Sequence, residues 1–351
     1  MLKAILARFN YKNLILAIVG VLVSLTLCEI ILRLFVPVRN IGPTITVYDP
    51  IYGTRLTKSY TGKRITPEFV IQYTTNSLGF RGPEPESFPY RPILFLGDSY
   101  TQGFGVSDGN EFPELIRKQL AEKFGETRIP VVNAGIENTG NSHWVKFLKN
   151  EGKRFNPRLV VLQFMGNDFN DNIREKLFTL SPSDGLVELP VPPPSFERRI
   201  QKVIDFSPFI KHTYILGLVR QVFSLLALHR NSLKDKVNVS NEIDNVKVPS
   251  EIDNDFEESL TFLLLQEVLE ICKQNNWPIL AINVYINGNR LTKLENLLKS
   301  YNVESIKIPQ KNDRPDLYYK VDRHWNALGH VYVAELIVKH LTAPKYSNLF
   351  K

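Results

Sequence analysis

Cysteine is scarce in this chain of 351 residues: Cys28 and Cys272 are the only two. Cys28 falls inside an apolar N-terminal run, so no intrachain disulfide is expected, and the thiols say nothing about the compartment. Acid is absent from residues 1 to 13, which carry Lys3, Arg8 and Lys12, and charge of either sign is absent from Asn13 to Cys28. No internal repeat is visible, which argues against a solenoid. A dense basic block and any nucleic-acid motif are also missing. The net charge of +7 and pI of about 9.2 therefore point toward anionic lipid headgroups or polymers rather than nucleic acid. What is present, 43% hydrophobic and 11% aromatic residues, is the composition of a globular chain.

The apolar run resumes after Glu29 as Ile30-Ile31-Leu32-Arg33-Leu34-Phe35-Val36. Roughly 20 apolar residues cross a bilayer. Leu14 to Val36 meets that length if Glu29 and Arg33, spaced to pair at i and i+4, lie near the far interface. The basic flank predicts a cytoplasmic N-terminus with the remainder extracytoplasmic, in the periplasm or at the cell surface. No small-x-small cleavage site follows the run. Leu27 is bulky where a lipoprotein site at Cys28 would want a small residue. The expected organisation is a tail at 1–13, a transmembrane anchor at 14–36 and a turn-rich lead-in at 37–90. A catalytic domain follows at 91–342, then a tail at 343–351. In the lead-in, Asn76 to Pro83 reads as a turn with Phe80 packed inward, and Arg81 is a weak candidate for an anionic substrate.

From Pro92 onward strands and helices alternate. Strands are predicted at Ile93–Leu96, Ile129–Asn133, Leu159–Phe164, Ile279–Val284 and Val303–Ile308. Helices are predicted near Glu111–Phe124, Ser142–Glu151, Phe256–Gln274 and Ala327–His340. This is the pattern of a parallel α/β sheet covered on both faces. The alternation breaks between about 170 and 255, where an apolar helix is expected over Ile210 to His229 and a loose polar stretch after Lys234. An insertion of that length reads as a cap or lid, as a helical hairpin extending the core, or as a surface dipping into the membrane.

Ile93 to Leu96 runs into Gly97-Asp98-Ser99, which delivers a serine at a strand's carboxyl end. Asp98 or Ser99 alone could be a helix cap. A serine hydroxyl needs a base, an orienter for the base and donors for an oxyanion. The base candidate is His324 in Val321-Asp322-Arg323-His324-Trp325, with Asp322 as orienter if the two extend in a loop and point the same way. Oxyanion candidates are the Ser99 N–H, the Gly135 N–H and the Asn167 amide. Taken singly, Gly135 reads equally as a strand-ending turn and Asn167 as an Asn turn. His330 and His340 read as helix-face residues.

These blocks in order, Gly97-Asp98-Ser99, Gly135, Gly166-Asn167-Asp168 and Asp322 with His324, resemble the SGNH hydrolase superfamily, the GDSL esterases, over about residues 91 to 342. The resemblance implies a flavodoxin-like three-layer α/β/α fold, a serine esterase mechanism with no metal or other cofactor, and an oxyanion hole of Ser99, Gly135 and Asn167. The usual pattern has the acid three residues before the histidine; here Val321 stands there and Asp322 is two before. A similar Asp-x-His-Trp block occurs in envelope O-acetyltransferases of the superfamily. The expected function is a membrane-anchored esterase removing O-acyl, chiefly O-acetyl, groups from an envelope glycan or lipid. Its alternatives are an O-acyltransferase using the same serine and a catalytically silent scaffold.

Overall fold

The computed structural model describes residues 11–36, 45–66, 68–84, 91–125, 129–181, 185–194, 196–207, 209–219, 222 and 250–350. They fall into two compact units. One holds helix α1 (Tyr11–Phe35) together with residues 64–66 and the described part of 203–246. The other holds the remainder.

In the larger unit, five parallel strands form one sheet: β5 (Ile93–Leu96), β6 (Val131–Asn133), β7 (Leu159–Met165), β10 (Ile279–Val284) and β11 (Glu304–Lys307). Their spatial order is β11-β10-β7-β5-β6. That is the flavodoxin-like 2-1-3-4-5 order, with its topological switch between β5 and β7, where such sheets place their ligands. Register pairs Phe95 with both Asn133 and Val161. The strands are buried on both faces, and the period of two sorts their side chains cleanly. Ile93, Phe95, Leu159 and Val161 face one layer. Leu94, Leu96, Val160 and Leu162 face the other.

The first layer is α3 (Phe112–Phe124) and α9 (Ala327–Leu341). α3 presents Phe112, Ile116 and Leu120 at helical spacing, starts with Pro113 in its first turn and stops at Gly125, φ 95°. α9 presents Val333, Ala334, Ile337 and Leu341, and the Asn326 side chain caps it by accepting the Gly329 N–H. The second layer is α4 (Asn141–Phe147), which continues through a π turn at Leu148–Gly152, and α7 (Ser250–Gln274), whose Leu264, Leu265, Val268 and Leu269 are buried.

Strand β6 begins at Val131 rather than Ile129, because Pro130 has no N–H to give the ladder; its carbonyl accepts the Ile93 N–H instead. The lead-in forms the antiparallel pair β1 (Thr46–Asp49) with β2 (Gly53–Leu56), and the pair β3 (Thr61–Ile65) with β4 (Val70–Thr74).

Residues just after 170 are not a departure from the body. Helix α5 (Asp168–Glu175) is followed by the hairpin β8 (Phe178–Ser181) and β9 (Gly185–Glu188). Leu177 and Phe178 join the second-layer core. Further on lie α6 (Phe196–Phe206) and a helical stretch at 214–219. Most of the expected helix beyond 219, and the polar stretch from Lys234 to 249, lie outside the described residues.

Candidate active site

Gly97 ends β5 where a Cβ would sit 2.1 Å from Thr101 Oγ1 and 2.6 Å from Gln163 Oε1, so the chain can turn there only without a side chain. The turn feeds a single helical turn, α2 (Ser99–Gln102). The Asp98 carboxylate caps it by accepting the Tyr100 N–H at 2.9 Å. Asp98 therefore is a cap, and Ser99 one residue later is free for something else. The Ser99 N–H belongs to the first turn, whose amides have no acceptor inside the helix.

Ser99 Oγ lies 2.7 Å from His324 Nε2. His324 Nδ1 lies 2.5 Å from Asp322 Oδ1. A carboxylate on Nδ1 requires the proton there, which leaves Nε2 as the acceptor for the serine O–H. Asp322 and His324 meet by a different route from the extended loop expected of them. Residues 321, 322 and 324 are bends. The same Asp322 oxygen also accepts the His324 backbone N–H at 2.9 Å. This is the local side-chain turn that aspartate favours, and it replaces strand-like alternation.

Aromatic packing fixes the imidazole. Its ring is flanked by Phe104 at 4.3 Å and Tyr100 at 4.9 Å between centroids. The Tyr100 hydroxyl donates to the Arg323 carbonyl at 2.7 Å. The neighbouring Trp325 is fully buried and packs edge-on against Tyr100, so the residue after the histidine pins its loop to the core.

Three further contacts were beyond sequence reasoning. Glu68 accepts the backbone N–H groups of Val321 at 3.0 Å and of Asp322 at 2.6 Å. What burial it has works to raise its pKa, but the hydrogen bonds from Asp322, Val321 and Lys320 outweigh that and hold it low. Arg81 is turned inward: it donates to the carbonyls of Gln102, Gly103 and Val106 and pairs with Asp108 at 2.9 Å. It braces the loop after α2 and does not offer itself to an anionic substrate. His330 accepts the Phe112 N–H, and burial pushes its pKa down to about 3.

Gly135 and Asn167 follow the two strands that flank β5. A Cβ on Gly135 would meet Gln102 N at 2.4 Å, so its backbone packs directly on α2. Its N–H donates to Asn133 Oδ1 at 3.1 Å. Asn167 donates from Nδ2 to Asp171 Oδ2 at 3.0 Å. Below them Asp98 is fully buried; burial pushes its pKa up to about 6, against the pull of the Tyr100 N–H, the His324 charge and Asn167. Asp168 is likewise raised well above the carboxylate range by burial and by the Asp98 charge. Among the described residues no group of three or more His, Cys, Asp or Glu side chains could hold a metal ion.

Residues 95–231 match the GDSL-like Lipase/Acylhydrolase family. Ser99, Gly135 and Asn167 lie inside that match, while Asp322 and His324 lie beyond it. No curated protein matches the chain in sequence. Among solved structures, similarity extends to a two-domain esterase active on acetylated mannans, at 13% identity and a TM-score of 0.40. The alignment covers 74% of this chain and 51% of that one, so the chain spans about half the length of that relative. A psychrotrophic esterase from Pseudoalteromonas sp. is similar at 12% identity and a TM-score of 0.41, over 74% of this chain and 99% of that one. A lipase/acylhydrolase from Enterococcus faecalis aligns at 14% identity and a TM-score of 0.38, over 72% and 95%. Over residues 95–231, then, the chain is similar to the GDSL-like lipases and acylhydrolases, and the strand order sets Ser99 at the switch point of the sheet.

Proposed function

We propose that Ser99 is the nucleophile of a membrane-anchored esterase, with His324 as its general base and Asp322 as the orienter of that base. The observation that carries this is the continuous hydrogen-bonded chain from Ser99 Oγ through the imidazole to Asp322. His324 Nε2 takes the hydroxyl proton as Ser99 Oγ attacks the ester carbonyl carbon. Negative charge gathers on the carbonyl oxygen. The Ser99 N–H, at the positive end of α2, is the first donor proposed for it, and the Gly135 N–H, which donates to Asn133 Oδ1 in the resting site, would exchange that acceptor for the oxyanion. An amide carries two N–H donors, so Asn167 can hold Asp171 with one and turn the other to the oxyanion. Collapse expels the alcohol, which takes the proton from His324, and leaves an acyl-serine. Water, deprotonated by the same imidazole, then releases the acid. Loss of one oxyanion donor costs about 3–4 kcal/mol of transition-state stabilisation, so Asn167→Ala should lower kcat by roughly 10²–10³.

The proposed substrate is an O-acyl, chiefly O-acetyl, ester on an envelope glycan or lipid. Three features support that location. The helix α1 is long and apolar enough to cross a membrane, Lys3, Arg8 and Lys12 precede it, and the basic net charge suits an anionic surface. The reading places the catalytic unit outside the cell. A series of p-nitrophenyl esters from acetyl upward, assayed beside acetylated polysaccharide, tests it. Preference for acetyl with acetate release is the expected result, and a preference for long acyl chains would overturn the acetyl assignment. A sugar hydroxyl in place of water would make the same atoms an O-acyltransferase. An acylated acceptor formed faster than free acid would establish that alternative.

A further inference from the structure

The smaller unit contains more than a membrane anchor. Glu29, near the end of α1, accepts the backbone N–H groups of Tyr214 at 2.9 Å and Ile215 at 3.1 Å. These are the first amides of the helical stretch 214–219, which an acidic side chain caps well. Arg33 completes the clamp. It pairs with Glu29 at 2.8 Å, donates to the His212 carbonyl at 3.3 Å and lies over the Tyr214 ring at 5.1 Å. The two ionisable residues of the apolar run therefore hold the chain at 212–215 to one level of the helix.

That level can be placed. From Leu14, where the apolar run begins, the helix rises at about 1.5 Å per residue, so Glu29 stands roughly 23 Å along it. The hydrocarbon of a bilayer is about 30 Å thick. If α1 spans the membrane, Glu29 lies in the outer part of that layer, and Arg33 one turn on reaches its far boundary, so what they clamp lies close to the headgroups. The chain leading into the clamp carries a run of unshielded apolar side chains. Phe206 is 90% exposed, Phe209 83% and Val203 72%, and Ile210 is half exposed. Val203 and Phe206 follow one another at i and i+3 on the outward face of α6, with Lys202 beside them, while Gln201, Ile204 and Asp205 are the more covered positions. Apolar residues with a neighbouring lysine on one exposed helix face are the composition of an interfacial element on an anionic surface.

We propose that residues 203–219 are a second membrane contact, an interfacial platform clamped to the outer end of α1 that sinks Val203, Phe206 and Phe209 into the headgroup–acyl boundary. It rests on the anchor reading above and goes beyond it. A single spanning helix leaves the chain free to swivel and lift, whereas a helix with a platform at its outer end presents a fixed face to the bilayer.

The test uses the full chain in vesicles of phosphatidylcholine and phosphatidylglycerol, with a nitroxide label at one cysteine at a time. Cys28→Ser removes the accessible native thiol, and Cys272 is buried. Phe206→Cys and Phe209→Cys report the platform, Leu22→Cys the anchor and the exposed Lys299→Cys the water phase. Labels at 206 and 209 should be relaxed better by oxygen than by a water-soluble nickel chelate, as at Leu22 and opposite to Lys299. If Leu22 reads lipid while 206 and 209 read water, the platform is overturned and the anchor stands. Labels at 206 and 209 shielded from both reagents would mean a protein contact and would also overturn it. Leu22 in water would remove the anchor and the platform together.

Discussion

At the residue scale, the candidate machinery hangs on a short turn around His324. Asp322 contacts both the ring and the backbone of the same residue, and that double contact is what the proposed role of an acid two positions away, where three is usual, relies on. Asp322→Asn keeps the shape and removes the charge that, in the proposed mechanism, stabilises the developing imidazolium. Steady-state kinetics should show kcat lowered by about 10²–10⁴ with KM little changed. A fall of less than threefold would remove Asp322 from the mechanism. Glu68 acts one step further out, through the backbone amides of Val321 and Asp322. We expect Glu68→Ala to reduce kcat several-fold while KM holds, and Glu68→Gln, which keeps an acceptor oxygen, to recover most of it. Equal losses in the two variants, or a change confined to KM, would contradict a positioning role. No local pattern announces Glu68, because the contact spans 254 positions of sequence. Ser99 and His324, by contrast, stand in blocks whose neighbours have visible reasons: Gly97 for the turn, Trp325 for the anchor in the core.

At the element scale, the inner strands were legible because apolar runs such as Ile93–Leu96 and Leu159–Leu162 have no other economical explanation, while β11, Glu-Ser-Ile-Lys, was legible from its place in the alternation. The π turn at Leu148–Gly152 was not legible, since a 3.6-residue period does not announce a switch to i→i+5 bonding. The hairpin β8–β9 was hidden for a different reason. Its apolar residues are few: Leu180 pairs across the hairpin with Leu186, and Phe178 is buried in the second-layer core. Helix α5 matters for how these parts are held together. Asn172 ties it to Asn141 and Thr261, and Glu175 accepts the Ser142 hydroxyl. Burial pushes Glu175 up to about 8, the Ser142 bond opposing and the Asp171 charge adding. A carboxyl whose folded pKa is raised holds its proton more tightly in the native state. The stability this gives is complete below pH 4.5, the unfolded value, and is lost as pH rises to about 8. Glu175→Gln should therefore narrow the fall in Tm between pH 5 and pH 9, with a gain on the order of a few kcal/mol at the alkaline end. A Tm profile parallel to that of the natural chain would show that Glu175 is already ionised in the fold.

At the scale of the whole molecule, the chain divides into two compact units of different surface character. The larger buries its strands on both faces and brings the ends of β5, β6 and β7 to one edge. The smaller exposes apolar side chains along α1 and around Phe206 and Phe209, the mark of an interaction or membrane-contact surface. The sequence shows directly a run long and apolar enough to span, by length and absence of charge. It does not show that Glu29 and Arg33 would clamp residues 212–215, since their i,i+4 spacing already explains them as a pair. The proposed chemistry rests on the activation of Ser99. Its most direct test is labelling of the full-length chain in detergent with a fluorophosphonate, followed by mass spectrometry of the modified peptide, beside Ser99→Ala. The account predicts one adduct per chain, on Ser99, and none on the variant. A folded chain that takes no label, or takes it on another serine, would contradict it.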